Sequence, residues 1–167
     1  MSLEYWDKLK SVPIDALKKI EAGRLKGKHD ISPVWRYERM TDVFGPCGIG
    51  WKYEIDSVHW VDAGAEKMVF VQVNLYVKDE NKWSAPIPGF GGDFAIQQER
   101  AGLHTNDEAL KMALTDALGY AMQKLGVAAD VYRGRADDTK YGREPLSNTP
   151  DLCPKKDPPQ SKQAGLF

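Results

Sequence analysis

Arg36 and Arg39 stand three residues apart, with Trp35 and Tyr37 beside them, and Trp51, Lys52 and Tyr53 follow across the turn Gly45-Pro46-Cys47-Gly48-Ile49-Gly50. Arg24, Lys26 and Lys28 lie just upstream. Cations interleaved with flat rings suit a groove for single-stranded nucleic acid. The cations neutralise phosphates, and the rings or aliphatic stems support bases. The plainer alternative puts the rings in the core and the cations in water. It fits at least Trp51 and Tyr53, which alternate onto the apolar face of one strand.

Other chemistries find less support. A phosphate cradle needs a strand, then a glycine-rich loop, then a helix whose N-terminus offers its amides. Around Gly45–Gly50 the order is helix, loop, strand, so the glycines read as a tight corner, with Cys47 as packing. The run Gly89-Phe90-Gly91-Gly92-Asp93 also lacks the phosphate-loop context. Its glycines read as a place where the chain leaves an edge strand or approaches another backbone or subunit. His29, His59 and His104 have no cysteine, histidine or carboxylate neighbours at metal spacing. No local Ser or Cys, His and acid signature marks a nucleophile. Glu54 and Asp56 fall on one face of a strand, about 7 Å apart. They are the best seed for a metal-dependent nuclease, and equally the solvent face of a strand. The reading is therefore a protein without catalytic residues, metal or cofactor.

The chain has 167 residues and a formal net charge of −1, so overall charge gives no support to nucleic-acid binding. Its distribution says more. From Lys18 to Arg39 seven basic residues face three acidic ones, a local net of +4. From Glu54 to Glu108 ten acidic residues face four basic ones, a net of −6. A stripe of that kind is felt over a Debye length whatever the total. No apolar run approaches the ~20 residues that cross a bilayer, and the charged start Met1–Val12 lacks the apolar segment of a secretory signal. Cys47 and Cys153 lie far apart with no disulfide or metal pattern. Together these features predict a cytoplasmic protein with reduced thiols.

Elements must hold the cations and rings in place. Residues 1–30 read as an N-terminal helical extension and a basic arm, with a helix begun by Pro13 and ended by Gly23. A further helix runs from Ser32 to Phe44, capped by Ser32, with Pro33 first inside and Gly45 as its stop. Val34, Met40, Val43 and Phe44 share its apolar face. Strand periodicity covers 49–61 and 68–77, the latter with Val69, Val71, Val73, Leu75 and Val77 on one face. A third, irregular strand over 83–92 carries Pro86 and Pro88 and reads as an edge strand. A helix from Thr105 to Leu125 follows, opened by a capping box of Thr105 and Glu108. Its row Ala109, Ala113, Ala117 and Ala121 flanks a row of Leu110, Leu114, Leu118 and Met122, an apolar stripe for close packing. Residues 136–167 are proline-rich and polar and read as a disordered tail. The expected fold is α+β: an antiparallel three-stranded β-meander packed against a long C-terminal helix. The α-β-β-β-α core over 31–135 has the element order of a double-stranded-RNA-binding domain.

Two stretches, Phe44–Ile55 and Ala109–Gly126, resemble the single-strand annealing proteins related to Rad-fifty-two, in particular the short bacteriophage versions. Phe44-Gly45 and Gly50-Trp51 match the family's helix end and strand start. Thr115-Asp116-Ala117-Leu118, closing with Leu125-Gly126, matches its long helix. The resemblance spans roughly residues 22–133. It implies ATP-independent binding and annealing of single-stranded DNA by rings or helical filaments of subunits, in recombination and repair. It also implies a basic groove where the meander meets the long helix. A single-strand-binding protein is a candidate partner of the tail, and a phage-encoded chain would work in the host cytoplasm.

One departure stands out. Where the eukaryotic helix carries basic residues, this chain has Gly119, Tyr120 and Gln123. Tyr120 could stack a base, with Lys111 and Lys124 the nearest cations. The remaining charge is expected from Arg24, Lys26, Lys28, Arg36, Arg39 and Lys52, with the corner placing Arg36 and Arg39 on one side of the groove and Lys52 on the other. Arg100, Arg133 and Arg135 lie near positions of an outer DNA site in the family. The rival readings are a nucleic-acid-binding module without annealing activity, including a double-stranded-RNA-type domain, and a nuclease using Glu54 and Asp56.

Overall fold

The computed structural model describes residues 3–21, 26 and 29–133. The architecture is α+β, a curled antiparallel sheet with a long helix packed on one face. In order come α1 (Glu4–Leu9), a 3-10 turn (Ile14–Ala16), β1 (Leu17–Lys19), β2 (His29–Ile31) and α2 (Pro33–Phe44). The sheet strands follow: β3 (Trp51–Ala63), β4 (Glu66–Asp79), β5 (Lys82–Trp83), β6 (Ile87–Glu99) and β7 (Gly102–Thr105). Then come α3 (Ala109–Lys124) and α4 (Ala129–Tyr132). The sheet runs β3-β4-β6-β7, with β5 added to the end of β4.

The central strand β4 alternates as its sequence predicts. Val69, Val71, Val73, Leu75 and Val77 are buried beneath α3, each fully buried aliphatic side chain contributing about 1.5–3 kcal/mol. From α3, Ala113, Ala117, Ala121, Leu118 and Met122 meet this layer. The alanine ridge sits on Gly89 and Gly91 of β6. A Cβ at Gly89 would run into the Ala117 carbonyl, and one at Gly91 into the Ala113 carbonyl and the Ala117 amide. Helix backbone rests on strand backbone, so these glycines serve close approach to another backbone.

Several expectations need correction. Residues 13–21 do not form the expected helix, and its expected end, 22–23, lies outside the described residues. After one 3-10 turn, Leu17–Lys19 pair antiparallel with His29–Ile31, a tertiary pairing that overrides local helix propensity. Thr105 does not cap α3, because it pairs with Ile96 in β7. Glu108 is the N-cap and no side chain caps α3; Asn106 makes an Asx turn just ahead of it, its Oδ1 accepting the Glu108 backbone N–H at 3.0 Å. The Leu row is not all core: Leu118 and Met122 are buried, but Leu110 is exposed. On α2 the buried residues are Met40, Trp35 and Arg36, while Val34 faces water.

The third strand is Ile87–Glu99 rather than 83–92. It lies beside β4 over Ile87–Ile96 and is bordered by β7 over Ile96–Glu99, so it is an edge only in its first part. Trp83 belongs to the separate strand β5. Glu80 and Asn81, with φ of 43° and 67°, make the two-residue turn that folds β5 back on β4. The corner Gly45–Gly50 is as tight as expected. Gly45 and Gly48 have φ of +97° and +88°, and the Ile49 and Gly50 amides donate to the Pro46 carbonyl at 3.0 and 2.8 Å. Cys47, expected to pack, is exposed.

Candidate nucleic-acid interface

Register and alternation divide the sheet's side chains into two faces. Trp51, Tyr53, Ile55, Val58 and Trp60 of β3 share the α3 side with the buried β4 valines, their direct partners. Lys52, Glu54, Ser57 and His59 share the opposite, outer side with Tyr76, Asn74, Gln72 and Phe70. On β6, Phe90 pairs with Gln72 and Gly92 with Phe70, again on the outer side. Asp56 is the extra residue of a bulge between Ile55 and Ser57 that keeps the two halves of β3 in phase.

On that outer side stands a cluster of cations and rings. The Lys52 Nζ lies 4.9 Å from the Tyr76 ring centre and 5.4 Å from that of Trp83, and the Lys78 Nζ lies 5.8 Å from Trp83. These are cation–π distances. Lys52 also donates to Glu54 Oε1 at 2.9 Å, and the Tyr76 hydroxyl donates to Glu54 Oε2 at 3.2 Å. Those bonds, Lys52 first and Tyr76 second, hold the Glu54 carboxyl below the usual glutamate range. Burial, then the bond to Glu54, pushes the Tyr76 phenol up. Asp56 accepts from the Asn74 amide at 3.4 Å. Glu54 and Asp56 are thus engaged by an ammonium, a phenol and an amide. No group of three or more metal-ligating side chains occurs among the described residues.

A second cluster lies four strand residues along β4, about 13 Å away, where β6 meets α3. Phe90 and Tyr120, 53% and 48% exposed, tilt against each other with centres 6.4 Å apart. The Lys124 Nζ sits 3.5 Å from the Tyr120 ring centre, and partial burial holds its ammonium below the usual lysine value. Tyr120 and Lys124, two of the sequence-derived candidates, therefore act as one unit.

The other candidates distribute differently. Arg36 and Arg39 do not flank a groove opposite Lys52. Arg36, 7% exposed, is buried against Gly119 of α3, and its Nε has no hydrogen-bond partner among the described residues. Arg39 turns to another hollow with Trp35 and Asp15, its Nη1 3.3 Å from Asp42. Lys52 is on the outer sheet face. The physical reason is that α2 packs through Trp35, Arg36 and Tyr37, with Tyr37 stacked on Trp51 at 6.1 Å. Lys111 pairs with Glu108 and lines a hollow with Arg36, Asp30, Glu108 and Asp116. Three carboxylates there outnumber two cations, which makes a poor seat for phosphate.

Lys26 is exposed between β1 and β2. Arg100 lies in the β6–β7 turn, and Arg133 stands 5.3 Å from the Trp6 ring centre beside α1. These two are not brought to either cluster. Arg24, Lys28 and Arg135, like the 136–167 tail, lie outside the described residues. Sequence reasoning missed Tyr76, Lys78, Trp83 and Phe90. The alternation of β4 carried the signal for Tyr76 and Lys78, because the face opposite a run of valines faces out.

No family model matches the chain, and no curated protein matches it either. No helix among the described residues is long and apolar enough to cross a membrane.

Proposed function

We propose that this protein binds single-stranded DNA along its phosphate backbone and anneals complementary strands without ATP, as a homo-oligomeric ring or filament acting in recombination and repair. The observation that carries this reading is the pairing of lysines with accessible rings, one group on the outer sheet face and one where the edge of β6 meets α3. Lys52 and Lys78 flank Tyr76 and Trp83, and Lys124 caps Tyr120 beside Phe90. Cations that rest on rings are close to where bases would stack, so one strand can meet charge and π-surface together. The resemblance to phage annealing proteins supports the same reading. It rests on Phe44-Gly45, Gly50-Trp51 and Thr115–Leu118 at a helix-to-strand corner and on the long helix.

Assembly into rings or filaments is supported by uncovered apolar surface. Ile55, Val58 and Trp60 of β3 stay exposed on the side where α3 covers β4 and β6. Among the described residues β3 pairs with one strand, β4, and a bridge from Cys47 covers its other edge at Trp51, so the rest of that edge is open to another strand. Annealing needs no hydrolysis, only neutralised strands with accessible bases. A module for double-stranded RNA is the second reading, favoured by the α2-β3-β4-β6-α3 order.

Anisotropy of a labelled oligonucleotide in EDTA tests the binding. If each subunit neutralises four to six phosphates, log affinity falls against log salt with a slope of about −3 to −4. A flat salt response contradicts the proposal. Tighter binding to duplex RNA than to single-stranded DNA moves the reading to the second module.

A further inference from the structure

We infer that the outer sheet face carries a pocket for one unpaired nucleobase, distinct from the phosphate-binding lysines; this rests on the single-strand reading above. The pocket is open, with a volume of about 340 Å³, and lies between Phe70 of β4 and Phe90 of β6. Val71, Gly91 and Gly92 line it as well, together with the polar His59, Gln72 and Asp116.

Glycine makes the pocket possible. A Cβ at Gly92 would fall 2.7 and 2.8 Å from Cδ1 and Cε1 of Phe70. With no side chain there, the Phe70 ring lies over the strand, 40% exposed, and leaves its outer surface to a ligand. Phe90, on the neighbouring strand and 53% exposed, supplies the second ring. Gln72 is the direct strand partner of Phe90, and His59 that of Phe70. Both residues line the pocket. Neither makes a hydrogen bond or ion pair among the described residues. An amide and an imidazole supply both donors and acceptors to a ring edge.

The lining decides the ligand class. It contains no cation, and its one charged member, Asp116, is a carboxylate. A phosphate is repelled, whereas a neutral planar heterocycle gains stacking on phenylalanine and hydrogen bonds from the polar lining. Along β4 the outward residues Phe70, Gln72, Asn74, Tyr76 and Lys78 recur every ~6.7 Å, about twice the ~3.4 Å base rise of a stacked strand. A strand laid along them must part its bases, and a protein ring replaces the lost neighbour. Such stacking tolerates any base. A base held this way is released when its complement pairs with it.

The test compares an oligothymidine with an abasic oligomer of equal length and charge. Wild type should bind the oligothymidine about tenfold more tightly. Phe70→Leu/Phe90→Leu keeps apolar bulk but loses the flat rings. It should bind both oligomers equally, near the wild-type affinity for the abasic one, with an unchanged urea midpoint showing that it is folded. Equal binding of both oligomers by wild type overturns the pocket and leaves phosphate binding intact. A tenfold preference kept by the double variant also overturns it. Failure of wild type to bind either oligomer overturns the single-strand reading, and the pocket with it.

Discussion

Gly91→Ala should destabilise the protein by about 3 kcal/mol, the upper end of what one extra methyl costs in a packed layer. The reason is local. At Gly91 the α3 backbone lies directly over β6, and the new Cβ would overlap the Ala113 carbonyl and the Ala117 amide. Neither neighbour is a side chain that can rotate away, so helix and sheet must separate along their whole contact. Ala113, Ala117 and Ala121, all fully buried, would lose packing together. The urea midpoint should fall by about 1–2 M with an unchanged slope. Gly64→Ala is the control. Gly64 has φ of +66° and nothing within 4 Å of a built Cβ, so only conformational strain of about 1 kcal/mol remains. Equal effects of the two substitutions would show that α3 does not bear on β6 as described.

The second large effect concerns binding. Lys52→Gln/Lys124→Gln removes one ammonium from each cluster while leaving Tyr76, Trp83, Phe90 and Tyr120 in place. Two fewer neutralised phosphates make the salt slope shallower by about 1.4 and weaken low-salt affinity about tenfold. Arg100→Gln, in the β6–β7 turn, should leave both unchanged. A double variant with the wild-type slope would move the phosphate path elsewhere. Glu54 bears on the same cluster. Its depressed carboxyl pKa keeps the bond to Lys52 present above the ordinary glutamate range and lost only as pH falls below it. On the proposed reading, a phosphate reaching Lys52 at neutral pH would have to displace Glu54.

Much of the scaffold was legible in the chain. The valine alternation of β4, the helix from Pro33 to a Gly45 stop and the alanine ridge of α3 are local patterns whose period fixes their face. The order helix, meander, long helix follows from them. What could not be read depends on contacts between distant segments. Leu17–Lys19 become a strand because residues 29–31 pair with them. β7 takes Thr105 away from the helix cap.

The interface divides in the same way. Tyr120 and Lys124, four residues apart on a helix, meet as local geometry requires. Arg36 and Arg39 looked like a basic edge, but α2 docks through Trp35 and Arg36, and burial of Arg36 depends on the missing side chain of Gly119 across the helix interface. Trp35 is core rather than a stacking ring, and Trp51 is core as its strand alternation indicated. Exposed rings include Phe70, Trp83, Phe90 and Tyr120, with Tyr76 half-buried beside Lys52, and Trp83 reaches Lys52 through the Glu80-Asn81 turn that returns β5 onto β4.

The most direct test of the account is the annealing of two complementary oligonucleotides followed by fluorescence, in EDTA and without ATP, with and without the protein. The account predicts faster pairing with wild type and a marked loss of that acceleration in Lys52→Gln/Lys124→Gln, with the variant still folded and assembled. Tight, salt-dependent binding of single strands with no acceleration of pairing would contradict it.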